Sequence, residues 1–317
     1  MRCLLFTLAL LLLVVQVAAA ETYAEKLGYP AGSRVLLVHC DDVGMCLSST
    51  EGAIDGLEHG IVSSCSVMTA CPWAGRAAQY LREHPQVDAG VHLAMTSEWD
   101  YYRWGPVAGK SAVPGLADQW GCLWDSVSLV TQHASADEIE REIRAQVDRA
   151  LAFGFQPTHI DTHMGTLVAR PDYVQRYYKV GIEKGLAVMA FANTEEELPS
   201  ELQAVYQGLL KQVWNAGLPI LDHIITNNYE WKADETRDGY LKLLPQLKPG
   251  VTEIIVHCAM PSVEIYEIQG DSAASRWIAD RRAMTDPQVK QLLKDQGIIL
   301  TTWRELKERR ARFGKPM

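Results

Sequence analysis

The 317-residue chain lacks several features that would assign it to a special class of protein. It has no long block of like charge and no low-complexity tract, which excludes a disordered chain, and 48% hydrophobic residues suffice for a sizeable core. The 30 basic residues are outnumbered by 39 acidic ones, so the net charge is −9. Such a surface repels a phosphate backbone, and we expect no nucleic-acid partner and no binding to anionic membranes. A neutral or cationic substrate fits better.

The cysteines also lack a pattern that would bind metal. No CxxC pair occurs, which argues against a zinc site made of thiolates. Three of the cysteines, Cys40, Cys65 and Cys258, lie in apolar runs, where buried free thiols are expected. Spacing leaves open whether any of the cysteines form disulfides.

A long apolar run is present only at the N terminus. After a short basic start, Leu4–Val15 contains one polar residue and is followed by small residues. The run is shorter than the roughly 20 residues that a membrane span needs. We therefore expect residues 1–20 to be a secretory signal peptide cleaved after Ala20, and the mature protein to be secreted or periplasmic without a membrane anchor. Residues 21–317 are expected to form a single domain.

Short apolar runs alternate with amphipathic segments through the rest of the chain. Strands are predicted over residues 34–39, 62–69, 88–93, 158–163, 186–191, 219–225, 253–258 and 298–301. Helices are predicted over residues 48–59, 73–84, 135–153, 173–184, 199–216, 237–247, 287–296 and from 303 onward. With no linker and no internal repeat, this alternation predicts an α/β fold made of a single β/α barrel of the TIM type, closed or distorted.

The alternation breaks after the third predicted strand. Between residues 95 and 133 there is no convincing periodicity, but aromatic residues are frequent. A loop this long in a compact domain is usually functional. We expect an aromatic-rich insertion over one end of the barrel.

Acidic and imidazole side chains occur near the ends of four predicted strands. They are Asp41 and Asp42, His92, Asp161 and His163, and His257. The active site of a β/α barrel lies at the C-terminal ends of its strands. Alternate residues of a strand share a face, so His159, Asp161 and His163 are expected to point the same way. Two simpler explanations stay open: histidines hydrogen-bonded inside a buried strand, and an aspartate pair that caps a helix or turn.

These residue types suit a hydrolytic metal site. One carboxylate and two neutral imidazoles leave coordination positions free for water and substrate, as catalytic zinc requires. Such a metal acidifies water and polarises a carbonyl, a second carboxylate can act as base, and His257 can supply a proton to a leaving amine. Asp and His ligands accept several divalent ions, so we expect zinc first, with magnesium or another divalent ion as the alternatives.

The order and spacing of the motifs resemble those of the YdjC-like carbohydrate deacetylases, also called chitooligosaccharide deacetylases, of the polysaccharide deacetylase superfamily. The similar segments are Val38–Gly44 with its Asp-Asp-hydrophobic-Gly opening, Gly60–Ser64, Gly90–Thr96 with Gly-x-His-Leu, and Pro157–His163 with Pro-Thr-His-x-Asp-x-His. The likeness covers about residues 34–304. It implies a metal-dependent enzyme that removes N-acetyl groups from amino sugars of oligosaccharides or glycans.

The resemblance also implies a role for each polar residue. The metal ligands are Asp42, His92 and His163, the base is Asp41, the acid is His257, and His159 and Asp161 are supporting groups that orient ligands or complete the pocket. The chain departs from the family pattern after His163, where Met-Gly-Thr replaces further histidines, and after His257, where Cys258–Pro261 replaces a Pro-Gly-like segment.

The aromatic insertion has a use in this hypothesis, because sugars stack their C–H faces on aromatic rings. The predicted substrate-binding residues are Trp99, Tyr102, Trp104, Trp120 and Trp124. The alternative is a small core that only anchors the loop. Two other functions stay open: a secreted glycan-binding barrel without turnover, and a metal-dependent phosphoester hydrolase, which would need Lys or Arg near the strand ends. The oligomeric state is left open.

Overall fold

The computed structural model describes residues 21–192 and 200–317. The expected signal peptide at residues 1–20 lies outside the described residues, as does Pro199, the first residue of a predicted helix. Within the described ranges, no helix has the length and apolar character needed to cross a membrane.

Eight parallel strands form one curled sheet. They are β1 (Arg34–Val43), β2 (Ser64–Val67), β3 (Ala89–Leu93), β4 (His159–Thr162), β5 (Ala187–Val188), β6 (His223–Ile225), β7 (Gly250–Val256) and β8 (Ile299–Leu300). The order is β5-β4-β3-β2-β1-β7-β6, and β8 pairs with the first half of β1. A parallel bridge between Phe191 and Leu221 links the chain after β5 to the chain before β6. The predicted α/β fold is confirmed as a curled parallel sheet, consistent with a distorted barrel.

Helices connect the strands and pack against the sheet or against each other. They are α1 (Tyr23–Lys26), α2 (Leu47–His59), α3 (Ala74–Glu83), α4 (Val127–His133), α5 (Ala136–Ala152), α6 (Pro171–Lys184), α7 (Ser200–Asn215), α8 (Thr236–Leu243), α9 (Val263–Met284), α10 (Pro287–Asp295) and α11 (Trp303–Phe313).

Local sequence explains where these elements begin. The apolar run Val35–Val38 is buried on both faces of the sheet, as a strand between two neighbours requires. The predicted capping box of α5 is present: the Ser135 hydroxyl accepts from the Glu138 backbone N–H, and the Glu138 carboxylate accepts from the Ser135 backbone N–H. The start of α5 is therefore fixed by its own side chains.

The segment between β3 and α4 does not carry its aromatic residues as one cluster. The indole N–H groups of Trp104 and Trp124 each donate to a backbone carbonyl within the segment, which anchors the loop to itself. Trp120 is 77% exposed. The expected aromatic-rich insertion over one end of the barrel is therefore not supported, because within the described residues these side chains do not form one cluster.

All six cysteines of the described ranges are free thiols. Five of them are buried and Cys122 is half-buried, which agrees with the expectation of buried thiols in apolar runs.

Candidate active site

Three side chains from three strand ends meet at the C-terminal edge of the sheet. Asp42 Oδ1 lies 3.1 Å from His92 Nε2 and 3.1 Å from His163 Nδ1, and the two histidine nitrogens are 3.2 Å apart. All three residues are buried. We call these three atoms the donor triangle. These atoms belong to the three residues that the family resemblance assigned as metal ligands.

The donor triangle has the size and chemistry of a three-ligand metal site. Tetrahedral zinc with bonds of about 2.0–2.1 Å places its ligand atoms about 3.3–3.4 Å apart, close to the observed separations. One carboxylate and two imidazoles suit zinc and other divalent ions of its row. The residues present therefore fit a divalent metal, and all three line the cavity described below.

Both histidines of the donor triangle have their second ring nitrogen fixed by a carboxylate. His92 Nδ1 donates to Asp161 Oδ1 at 2.9 Å, and the residues are direct partners in the β3–β4 register. His163 Nε2 lies 3.0 and 3.1 Å from the two oxygens of Glu98. Because an ionised carboxylate only accepts, each neutral ring keeps a lone pair directed at the triangle. This arrangement orients metal-binding histidines and raises their basicity.

The charged groups at the donor triangle shift one another's pKa. Burial opposes ionisation, but the neighbouring His163 and His92 hold the pKa of Asp42 well below its usual range. Burial likewise opposes the charge of His163, but Glu98 and Asp42 raise its pKa to about 10. In the absence of metal, the imidazole of His163 therefore carries a second proton, and with it a positive charge, at neutral pH.

The backbone turns sharply at Asp42 and directly after His163. Asp42 has φ of 60° and Met164, which follows His163, has φ of 54°. Both values lie in the left-handed region, which is uncommon for residues other than glycine. The predicted strand at 158–163 accordingly ends one residue early, and His163 begins a 3-10 turn that leads the chain away from the sheet.

Asp41 stands beside the donor triangle and lines the same cavity. Its Oδ1 is 3.2 Å from His39 Nε2 and 3.9 Å from His92 Nδ1. His39 Nε2 is also 2.8 Å from Asp161 Oδ2. Although burial opposes it, Asp161 and Asp41 raise the pKa of His39 well above its usual range. A buried imidazolium thus joins the proposed base to the carboxylate that orients His92.

His159 lies deeper in the barrel and does not reach the donor triangle. Its ring stacks on Trp303 at 5.4 Å and meets the ring of His39 edge-on at 4.9 Å. Burial lowers the pKa of His159 to about 4 and raises the pKa of the nearby Glu253 to about 8, so both groups are neutral at pH 7. His159 also forms a second group of possible metal ligands with His39 and Asp161, whose ligand atoms lie within 4.8 Å of one another.

His257 follows β7 on the other side of Asp42. Its Nε2 is 3.5 Å from Asp42 Oδ2, and its ring stacks on Trp277 at 4.8 Å. Its backbone N–H donates to Asp280 Oδ2 at 3.3 Å. Burial lowers the pKa of His257 to about 4, so the ring is neutral at pH 7. The structure thus brings His257, the predicted acid, next to Asp42. Its neutral ring, however, lacks the second proton that an acid would donate.

A cavity of about 720 Å³ opens beside these residues. Trp99 lines it, whereas the other four aromatic residues predicted to bind sugar are not among the described residues of its wall. Tyr102 donates its hydroxyl to the Met45 carbonyl, and Trp104 packs against His163 with ring centres 6.2 Å apart. Of the predicted aromatic surface, the structure therefore brings Trp99 to the cavity.

Sequence reasoning missed His39, described above, and two further residues of this site. Glu98 lies six positions after His92, in a segment without periodicity, and only that proximity could have drawn attention to it. Arg276 comes from α9, far in sequence from every motif, and lines the cavity. It is the one Lys or Arg among the described lining residues, and its Nη1 is 3.5 Å from Asp280 Oδ2. A single, partly neutralised cation gives little support to the phosphoester alternative.

Comparison with known proteins finds relatives that match most of the chain. A carbohydrate deacetylase of Thermus thermophilus is 31% identical over 297 residues, which cover 90% of this chain and 97% of that protein. A chitooligosaccharide deacetylase of Yersinia enterocolitica is 32% identical over 131 residues, 41% of this chain and 49% of that protein. A crystal structure of a proposed cellobiose-phosphate cleavage protein from Enterococcus faecalis V583 superposes with a TM-score of 0.73 at 22% identity, covering 86% of this chain and 99% of that one. That last likeness concerns the fold alone.

The family assignment rests on the length of the match as well as on the site. The family model described as YdjC-like protein matches residues 35–295, which include every strand end that contributes to the donor triangle. The chain therefore belongs to the YdjC-like protein family.

Proposed function

We propose that the protein is a metal-dependent carbohydrate deacetylase, which hydrolyses the N-acetyl group of amino sugars in oligosaccharides or glycans. The observation that carries this proposal is the donor triangle with Asp41 beside it at the wall of the cavity. A glycan-binding protein would need no free carboxylate next to the metal ligands. The names of the Thermus and Yersinia relatives support the same activity.

Asp42, His92 and His163 would hold the metal, which when bound polarises the amide carbonyl and acidifies the attacking water. Asp41 takes the proton of that water, and the charge of His39 keeps its carboxylate in place. His257 is neutral at pH 7, so it must take up a proton during the reaction before it can pass one to the amine nitrogen.

Substrate binding is proposed at the cavity wall near the metal. The ring of Trp99 offers a face for the C–H groups of a sugar, and the polar groups of Glu98, Thr226 and Arg276 line the same cavity for its hydroxyls. Zinc is the proposed metal, with magnesium or another divalent ion as the alternatives, because Asp and His together accept several. Elemental analysis of the purified protein, followed by reconstitution with each ion in turn, distinguishes them.

The test of function is acetate release from N-acetylated chitooligosaccharides by the metal-loaded protein. Asp41→Asn keeps the shape of the side chain but removes the base, so kcat is expected to fall about 10²- to 10⁴-fold while metal content stays at the wild-type level. His163→Ala is expected to lose metal and activity together. Asp100→Asn is the matched control, because it makes the same replacement at an exposed carboxylate that does not line the cavity as described. Unchanged acetate release from Asp41→Asn would remove Asp41 as the base, and no release from the wild type would remove the proposed activity.

Export of the protein and a single mature domain are further proposals. Residues 1–20 have the composition of a signal peptide, and the described residues from 21 onward fold around one sheet. Expression of the full chain followed by N-terminal sequencing of the exported protein tests this. Glu21 is the expected first residue, and retention of the whole chain in the cytoplasm would contradict export.

A further inference from the structure

The cavity beside the donor triangle continues into a region with a different chemistry. Its far wall is apolar and comes from α6, the chain after β5, α7 and β6. We call this region the acyl lobe, and its wall includes Val174, Tyr178, Met189, Phe191, Tyr206 and Ile224. The acidic and imidazole groups lie instead on β1 and β3 or in the segments that follow β3, β4 and β7. One cavity therefore has a polar end with the metal ligands and an apolar end at the β5–β6 side of the sheet.

The two tyrosines of the acyl lobe offer their rings rather than their hydroxyls. The Tyr178 hydroxyl donates to the Met189 carbonyl at 3.1 Å. The Tyr206 hydroxyl accepts from the Phe191 backbone N–H at 3.2 Å and donates to its carbonyl at 3.0 Å. Because these hydroxyls already have partners in the backbone, the wall presents few hydrogen-bonding groups to a ligand.

The chemistry of the wall decides which half of the substrate fits it. An amide bound at the metal has an acyl chain on one side of its carbonyl and an amino sugar on the other. Sugar hydroxyls buried against this wall would lose their hydrogen bonds to water, at roughly 1–3 kcal/mol for each unsatisfied group. An alkyl chain has no such loss and gains from leaving water. The sugar therefore belongs at the polar end of the cavity and the acyl chain in the lobe.

The size of the cavity exceeds what an acetyl group needs. Cavities of roughly 300–1,000 Å³ enclose most of a drug-sized molecule, and this one measures about 720 Å³. A two-carbon acyl group beside the metal would leave most of the apolar wall without contact. Longer chains would cover that wall.

We propose that the acyl lobe binds N-acyl chains longer than acetyl, so that the protein hydrolyses N-butanoyl and N-hexanoyl amino sugars as well as N-acetyl ones. This inference rests on the proposed deacetylase function and adds a substrate class to it. The reaction stays hydrolytic and balanced: one water is consumed, the C–N bond breaks, a C–O bond forms, the amine gains a proton and the acid leaves as its carboxylate. No oxidant or other co-reactant is required.

The first test measures kcat/KM of the metal-loaded protein for chitobiose derivatives carrying acetyl, butanoyl or hexanoyl groups. Each methylene that enters the lobe is expected to raise kcat/KM about fourfold until the lobe is filled, so butanoyl, with two more methylenes, should exceed acetyl by about 16-fold. Acetyl cleavage with butanoyl cleavage no faster than it would overturn the acyl lobe and leave the deacetylase function standing. If no N-acyl sugar of any length is cleaved, the proposed function itself fails, and the acyl lobe with it.

A second test narrows the lobe. Val174 is nearly buried at its wall, and Val174→Phe places a larger ring there. The variant is expected to lower the ratio of hexanoyl to acetyl kcat/KM at least tenfold, because the longer chain no longer fits. Val205→Phe is the matched control, since Val205 is 44% exposed on α7 and is not among the described lining residues. An unchanged ratio in folded Val174→Phe would contradict the acyl lobe.

A third measurement does not depend on turnover or on the folding of a variant. Calorimetric titration of the wild type with acetate, butanoate and hexanoate follows binding of the product acids. Dissociation constants are expected to fall about fourfold for each added methylene. Equal affinity for the three acids would show that the chain stays in water, and would overturn the inference.

Discussion

Replacement of Glu98 tests how the metal site depends on the support of His163. Its carboxylate lies 3.0–3.1 Å from His163 Nε2, touches no atom of the donor triangle, and is partly exposed to solvent. Its effect on the metal must therefore pass through the orientation and basicity of His163. Glu98→Gln keeps one acceptor oxygen for the ring N–H but removes the charge, and Glu98→Ala removes both.

The expected magnitude follows from the role of such carboxylates. Loss of a group that orients a metal-binding histidine lowers metal affinity about 10- to 100-fold, or about 1.4–2.7 kcal/mol. We expect Glu98→Gln near the lower end of that range, because the amide oxygen still accepts the ring N–H. Glu98→Ala is expected near the upper end.

Competition with a chelator of known zinc affinity measures these changes. Asp100→Asn serves as the control, because Asp100 is exposed and its replacement removes the same charge two residues away. Circular dichroism of each variant checks that the fold is kept. Wild-type zinc affinity in Glu98→Ala would refute the argument that this carboxylate supports His163.

Three other predictions concern the interior, the pH dependence and the N-terminal contact. Gly90→Ala would place a methyl group 2.4 Å from His159 Nε2 and is expected to lower the free energy of unfolding by about 1–3 kcal/mol in urea, whereas Gly208→Ala, with nothing within 4 Å, should not. Because the pKa of His163 is raised to about 10, zinc must displace a proton from its ring, so the apparent affinity for zinc should rise at least tenfold per pH unit between about 6 and 8. In the metal-free protein, the contribution of this charged group to the free energy of unfolding is full below about pH 6.5 and is lost as the pH rises through 10. Asp222→Ala deprives three backbone N–H groups of their acceptor. It should lower the free energy of unfolding by about 3 kcal/mol without changing metal affinity.

The alternation of strands and helices could be predicted because buried parallel strands have continuous apolar sequences. Residues 34–39 were predicted as such a strand, and β1 begins at Arg34 as expected. It continues, however, to Val43, because pairing with β2 resumes there after an irregularity at Asp41 and Asp42: Cys40 pairs with Cys65, and Val43 pairs with Val67. A run of charges carries no apolar signal, so the extent of β1 could not be predicted.

The helix α9 was missed entirely, although it is 22 residues long. Gly270 has φ of 72° inside it, so the helix consists of two segments whose buried residues do not share one continuous face. The apolar periodicity that identifies a helix is thereby broken. Arg276 and Trp277 belong to α9, so their place at the cavity could not be predicted.

The candidate site could be predicted only in part. Asp42, His92 and His163 were assigned by resemblance to family motifs, and the structure brings them together. The carboxylate of Glu98 and the imidazole of His39 were given no role, because hydrogen bonds between distant residues leave no pattern in a single sequence. The roles of Asp41 and His257 stay predictions until the variants are measured.

The left-handed backbone at Asp42 and Met164 has a consequence for any attempt to stabilise this protein. A residue other than glycine in that conformation costs roughly 1 kcal/mol or more of backbone strain. A library selected for melting temperature would accept Met164→Gly, because the Met164 side chain is 55% exposed. Asp42→Gly relieves similar strain but leaves the buried His92 and His163 without their carboxylate, which costs more than the strain. A search for stabilising substitutions in this chain should therefore begin at Met164 and leave Asp42 unchanged.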